Sequence, residues 1–151
     1  METQTTDLVI HKSVRVRISQ EAAFRLFTEG IGTWWPAITH SVAASAETRA
    51  GMDAAVGGEI YELSPTGRVT WGTITEWDPP NGFAATWHPG DGAELATRWS
   101  VRFVAEGPQA TRVELEHAGW EVHGTEAQER FQGYLVGWDP VLGRFVERAG
   151  G

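Results

Sequence analysis

The chain has 151 residues, of which 41% are hydrophobic and 21% are charged, and this balance is typical of one globular domain with a sizeable core. The formal net charge is −8 and the basic residues are scattered, which disfavours nucleic acid and anionic membrane surfaces as partners because both are negatively charged. The lack of cysteine excludes disulfides, thiolate nucleophiles and cysteine metal sites.

The expected domain spans residues 8–149 and follows a flexible N-terminal segment, residues 1–7. No stretch approaches 18 apolar residues, and the N-terminus lacks a basic segment followed by an apolar run. These features predict a cytoplasmic location without a membrane segment. The oligomeric state stays open between monomer and homodimer, because exposed edge strands can either pair or be covered.

The first two elements are a strand and a short helix. Residues 8–19 end in strict alternation of apolar residues with arginines, which predicts a half-buried strand. Ser19 then precedes the run QEAAFRLF, and a serine N-cap ahead of apolar residues at helical spacing predicts a short helix. Gly30 is expected to stop this helix.

The next segment holds two adjacent tryptophans and then loses its periodicity. A second short helical turn is expected to carry Trp34 and Trp35 before Pro36 ends it. Residues 37–57 are rich in Ala, Ser and Gly, so we interpret them as a mobile loop or an irregular edge strand.

Downstream, five runs rich in β-branched and aromatic residues are separated by the turn sequences SPTG, DPPNG, PGDG and EGPQ. This pattern predicts an antiparallel meander whose strands each have one solvated face. The predicted strands are residues 59–63, 70–77, 82–88, 95–104 and 110–117. In the last two, alternation turns one set of residues inward, namely Trp99, Val101, Phe103, Val113, Leu115 and His117.

Residues 126–148 form the last predicted element, a long helix. Its apolar residues recur at intervals of 4, 3, 4 and 3, which predicts one helical stripe lying across the dry face of the sheet. Pro140 lies inside this helix and predicts a kink or a break, with Asp139 able to cap the distal half. The stripe consists of Phe131, Leu135, Trp138, Leu142 and Phe145.

Five segments in order, EAAFRLFTEGIGTWWP, VGGEIYEL, WGTITEWDPPNGFAATWHPGD, TRVELEHAGW and GYLVGWDPVLGRF, carry a resemblance to a known family. They resemble the START and birch-pollen-allergen-like superfamily, often called SRPBCC. Within it they are most similar to the family named after the C-terminal domain of the activator of the heat-shock-protein-90 ATPase. The resemblance implies an α+β helix-grip fold: a curved antiparallel sheet of six to seven strands around a long C-terminal helix, with two short helices after the first strand.

The resemblance also implies a cavity between sheet and helix, but it does not imply one function. The family contains chaperone-activating domains and hydrophobic-ligand binders, and its superfamily cousins include lipid carriers and polyketide aromatase/cyclases. The chain contains eight tryptophans, and their large rings must be accommodated around one shared interior, where some can line a cavity. The candidate ligand-binding residues are Trp34, Trp35, Trp87, Trp99, Val101, Leu115, His117, Trp120, Tyr134 and Trp138.

Each candidate also has a plainer interpretation as core packing, and buried indole N–H groups need an acceptor in either case. No catalytic residue is predicted firmly; His117 and Tyr134 are weak candidates for moving protons. Glu116, His117, Glu121 and His123 are close in sequence, but alternation sends Glu116 and His117 to opposite faces of a strand. We therefore expect no metal site and no cofactor.

Three functional hypotheses follow, since the sequence contains no recognised nucleophile, phosphate-binding or zinc motif. The favoured one is non-catalytic binding or sensing of a small hydrophobic or aromatic ligand in the cavity. The second is an aromatase/cyclase-like or lyase-type enzyme that uses the same cavity. The third is a protein-binding or co-chaperone-like module, whose acidic partner would meet the outward arginines Arg15, Arg17, Arg98 and Arg102.

Overall fold

The computed structural model describes residues 8–150. In chain order its elements are β1 (Ile10–Val16), α1 (Gln20–Phe27), β2 (Arg49–Met52), β3 (Glu59–Ser64), β4 (Gly67–Asp78), β5 (Gly82–Trp87), β6 (Thr97–Gly107), β7 (Ala110–Ala118) and α2 (Ala127–Arg148). The strands form one antiparallel sheet in the order β1-β7-β6-β5-β4-β3-β2. The segment expected to be flexible, residues 1–7, lies outside the described residues.

The sheet curves around α2, which confirms the α+β helix-grip fold. The alternation predicted for the last two strands is also confirmed, because Trp99 and Val101 on β6 are buried while Arg98 and Arg102 are exposed. Val101 lies opposite Leu115 of β7, so the inward faces of the two strands form one apolar surface. No helix within residues 8–150 is long and apolar enough to cross a membrane.

The short helix α1 begins where the sequence predicts. The Ser19 hydroxyl accepts a hydrogen bond from the Ala22 backbone N–H at 3.2 Å, so it caps one of the free donors of the first turn. The second turn differs from the prediction: a 3-10 turn covers Ile31–Thr33 and ends before Trp34. Pro36 accounts for the exclusion of Trp35, because a residue that precedes proline is pushed out of the helical region.

The segment with weak periodicity contains both predicted structures in succession. Residues 37–48 form a loop, and the chain then enters β2, the edge strand next to β3. The loop passes over one end of the sheet and contributes to the cleft described below.

The C-terminal helix continues through its proline. A 3-10 segment, Trp120–Glu126, leads into α2, and of the two outcomes predicted for Pro140 a break does not occur. Asp139 does not cap a second helix; its carboxylate pairs with Lys12 on β1 at 2.9 Å. Proline removes one helical hydrogen bond, but the buried residues on either side hold this stretch of α2 against the sheet.

Candidate ligand-binding cleft

A cleft of about 700 Å³ lies between α2, the loop of residues 37–48, and the neighbouring ends of β4 and β5. It is open to solvent on one side, and its volume falls within the range of small-molecule sites. Its lining residues are Trp35, Thr39, His40, Ser41, Val42, Trp71, Trp87, Pro89, Gly90, Glu126, Glu129, Arg130, Gly133, Tyr134, Gly137, Trp138 and Val141.

Four indole rings pack together where they line the cleft, each with at most 9% of its surface exposed, and we call Trp35, Trp71, Trp87 and Trp138 the aromatic wall. The ring of Trp35 lies 5.1 Å from that of Trp71, 5.8 Å from that of Trp87 and 5.9 Å from that of Trp138, measured between centroids. The five ring pairs in contact are tilted or edge-to-face, and aromatic quadrupoles favour such arrangements over face-to-face stacking. The four rings therefore support one another as a fixed apolar surface.

Every indole N–H of the aromatic wall donates to an acceptor inside the protein, which fixes the orientation of each ring. The donors and acceptors are Trp35 to the His40 carbonyl oxygen at 2.8 Å, Trp71 to Glu62 Oε1 at 2.7 Å, Trp87 to the Tyr134 hydroxyl oxygen at 3.2 Å, and Trp138 to His117 Nδ1 at 3.0 Å.

Glu62 on β3 is fully buried and holds two parts of the cleft together. Its Oε1 accepts the indole N–H of Trp71 and the backbone N–H of Val42, and its Oε2 accepts the backbone N–H of Ala43 at 2.9 Å. One carboxylate therefore ties the loop of residues 37–48 to the aromatic wall. Three hydrogen bonds offset the cost of burying its charge.

The Glu62→Gln variant is expected to unfold with a free energy about 1 to 3 kcal/mol lower than that of the wild type. The amide oxygen can replace Oε1, but the amide NH₂ would then face the Ala43 N–H, donor against donor. Chemical denaturation measures the change, and Glu76→Gln, at an exposed position on β4, is the matched control with an expected effect within about 0.5 kcal/mol. Equal stability losses in the two variants would contradict the role given to Glu62.

His117 is fully buried behind the aromatic wall and is not among the lining residues. Its Nδ1 accepts the indole N–H of Trp138, so the ring proton is on Nε2, which donates to the Thr97 hydroxyl at 2.7 Å. The hydroxyl in turn donates to the Trp87 carbonyl oxygen at 3.2 Å. Burial, with a smaller effect of nearby His123, lowers the pKa of His117 to about 3, so the ring is neutral.

The structure places four of the ten predicted ligand-binding residues in the cleft: Trp35, Trp87, Tyr134 and Trp138. It places the other six in the packed interior, namely Trp34, Trp99, Val101, Leu115, His117 and Trp120.

Two of those interior indoles have protein acceptors, since Trp34 donates to the Leu26 carbonyl oxygen and Trp120 to that of His117. The buried N–H of Trp99 has no hydrogen-bond acceptor among the described residues. Its ring packs between those of Trp87 and Trp138, with centroids 5.0 Å and 5.2 Å away. Both neighbours belong to the aromatic wall, so Trp99 supports that wall from behind.

Sequence reasoning missed Trp71, Glu62 and the glycines on the cleft side of α2. Gly133 and Gly137 are one helical turn apart, and a Cβ built on either glycine would meet no atom within 4 Å. The open volume beside α2 therefore depends on the missing side chains. The sequence feature that could have revealed this open volume is a pair of glycines spaced by four in a predicted helix. They lie on the face that carries Tyr134 and Trp138.

Three of the four residues that are close in sequence near the end of β7, namely Glu116, His117 and Glu121, point to different surroundings. Glu116 lies beside His11 at 3.6 Å, Glu121 lies beside Arg98 at 3.9 Å, and His117 points into the core. Within residues 8–150, no group of three His, Asp or Glu side chains is placed to hold a metal ion.

Known proteins resemble this chain in sequence and in fold. The sequence model of the family described as "Activator of Hsp90 ATPase homolog 1-like protein" matches residues 17–149. The self-sacrificing resistance protein CalC from Micromonospora echinospora is 27% identical, with a TM-score of 0.68 over 95% of each chain. The anthrahydroquino-gamma-pyrone synthase Txn09 is 33% identical, with a TM-score of 0.64 over 96% of this chain and 99% of that one.

An HSP90 activator from Plasmodium falciparum, PFC0360w, is 21% identical, with a TM-score of 0.54 over 74% of this chain and 72% of that one. At this identity the likeness concerns the fold alone. No curated protein is significantly similar to the chain.

Proposed function

We propose that this chain, which belongs to the family of Activator of Hsp90 ATPase homolog 1-like proteins, binds a flat aromatic molecule in the cleft beside α2. The observation that carries the proposal is the aromatic wall, four mutually supporting indole rings that face an open volume of about 700 Å³. A flat aromatic ligand buries its faces against such rings and gains both apolar burial and offset ring contacts.

The relative Txn09, at 33% identity, supports this proposal. Txn09 is described as a synthase of an anthrahydroquino-gamma-pyrone, which is a fused-ring aromatic compound, and CalC is described as a resistance protein. The two alignments cover 95% and 96% of this chain.

Ligand titration followed by tryptophan fluorescence and thermal unfolding tests the proposal. A panel of flavonoids, polyketide-like aromatics and fatty acids should give saturable quenching with flat aromatic compounds, because the aromatic wall contains half of the tryptophans. The same compounds should raise Tm, since a ligand that binds only the native state stabilises it. A panel in which fatty acids bind and flat aromatics do not would contradict the proposal.

An enzyme that uses the same cleft is the second candidate, and the 33% identity to a synthase favours it. Of the two residues predicted to move protons, Tyr134 lines the cleft, whereas both ring nitrogens of His117 are hydrogen bonded inside the core. Chromatography of each bound compound after incubation distinguishes the two candidates. Recovery of the unchanged compound supports binding alone, and a new product supports catalysis.

A further inference from the structure

Among the described residues, most side-chain donors that line the cleft are already bonded within the protein. The exceptions include the hydroxyl hydrogen of Tyr134, beside the aromatic wall, and Nε2 of His40 in the loop. The four N–H donors of the aromatic wall are all used inside the protein, as described above. The Ser41 hydroxyl donates to the Ala37 carbonyl oxygen, and the Thr39 hydroxyl is bonded to His40 Nδ1 at 2.7 Å and to the Pro36 carbonyl oxygen at 3.3 Å. A ligand that used any of these donors would have to break a bond that already exists.

Tyr134 on α2 differs from these residues because its hydroxyl group accepts a hydrogen bond but donates none among the described residues. The indole N–H of Trp87 donates to it at 3.2 Å, and no acceptor for its own hydrogen is present among the described residues. A hydroxyl group both donates and accepts, so this hydrogen is still available in the cleft that Tyr134 lines. Burial raises the pKa of Tyr134 above its ordinary value, which keeps the hydroxyl protonated at neutral pH.

The rim of the cleft is negatively charged. The Arg130 guanidinium is already paired with Asp91 at 2.8 Å and with Glu126 at 3.5 Å. Glu129 also lines the cleft and forms no ion pair within the described part of the chain. Two carboxylates therefore neutralise the guanidinium, and Glu129 adds a further negative charge at the rim, which disfavours the entry of an anionic ligand.

We infer that the cleft selects an uncharged flat aromatic molecule with a carbonyl oxygen that accepts the hydrogen bond of the Tyr134 hydroxyl. This inference rests on the proposed function and narrows its ligand class to aromatic ketones, quinones and pyrones. Trp87 acts as a positioning residue, since its N–H fixes the acceptor side of the hydroxyl and leaves the hydrogen for the ligand.

Fluorenone and fluorene test the carbonyl contact, because they share a flat three-ring skeleton and differ by C=O against CH₂. The ratio of their dissociation constants is measured for the wild type, for Tyr134→Phe and for Tyr61→Phe, a control at the other tyrosine, outside the cleft. Tyr134→Phe should shift this ratio toward fluorene by roughly three- to tenfold, the value of one neutral hydrogen bond, and Tyr61→Phe should leave it unchanged. Partial unfolding of a variant weakens the apparent binding of both compounds by the same factor. The ratio of the two dissociation constants is therefore unaffected by modest destabilisation.

Fluorenone-2-carboxylate tests the selection of uncharged ligands. It should bind at least threefold more weakly than fluorenone, and Glu129→Gln should narrow the gap. Glu147→Gln makes an equal charge change at an exposed position of α2 outside the cleft, and it should leave the difference in affinity unchanged. Equal binding of the acid and the ketone by the wild type would overturn this part of the inference.

The possible failures of the inference and of the proposed function are distinguishable. If both probes bind the wild type but Tyr134→Phe leaves their ratio unchanged, the carbonyl contact is overturned and aromatic binding stands. If neither fluorenone nor fluorene binds the wild type, the carbonyl contact and the proposed aromatic binding are both overturned.

Discussion

The Gly137→Leu variant is expected to bind flat aromatic molecules about ten- to a hundredfold more weakly than the wild type while staying folded. Gly137 lines the cleft and a Cβ at this position of α2 meets no atom within 4 Å, so we expect the leucine side chain to extend into the open volume. A ligand that must share this volume with the leucine side chain is overpacked, and such overpacking weakens the free energy of binding by about 1 to 3 kcal/mol. Isothermal titration with the best ligand of the panel measures the loss.

Gly143→Leu is the matched control for this variant. Gly143 lies on the exposed face of the same helix and outside the cleft, and a Cβ there also meets no atom. Replacing a helical glycine with leucine stabilises a helix by up to about 1 kcal/mol, so both variants should have an equal or higher Tm. If both variants bind like the wild type, the ligand occupies a different part of the molecule.

Lowering the pH from 7.5 to 5 is expected to remove about 2 kcal/mol of stability through His117 alone. The pKa of this residue is about 3 in the folded protein because of burial, against an ordinary value of 6.5. Below pH 6.5 the unfolded chain therefore binds a proton that the folded protein does not. The stability contributed by the neutral ring is fully present above pH 6.5 and is lost progressively as the pH falls toward 3.

The pH dependence of His117→Gln isolates this contribution. The variant should be less stable than the wild type at pH 7.5, because the bonds to Trp138 and Thr97 are disturbed, and the gap should shrink by about 2 kcal/mol at pH 5. His11→Gln, an exchange at an exposed position, should follow the wild-type profile. Parallel profiles of wild type and His117→Gln would show that His117 is not the group that is protonated on unfolding.

Local patterns were sufficient to predict much of the fold. The alternation in β6 and β7 and the serine that begins α1 depend on neighbours within a few residues, so the sequence displays them directly. Pro140 is the instructive exception. Propensity alone allows a break there, but the packing of the residues around it on the sheet keeps α2 continuous.

The cleft was less predictable, for two physical reasons. Glu62 bonds to backbone N–H groups at Val42 and Ala43, about twenty residues earlier, and backbone donors leave no mark in a sequence. Gly133 and Gly137 shape the open volume by having no side chain, so a search for large aromatic residues misses them. The same search cannot separate the aromatic wall from the interior tryptophans, because both sets are apolar and buried.

The eight indole N–H signals in a ¹H–¹⁵N correlation spectrum test the central claim most directly, namely that a flat aromatic ligand lies on the aromatic wall. Adding fluorenone should shift the signals of Trp35, Trp71, Trp87 and Trp138, while those of Trp77 and Trp120, outside the cleft, stay in place. Single Trp→Phe variants assign the signals. Shifts confined to Trp77 and Trp120, with the four wall signals unchanged at saturation, would contradict the account.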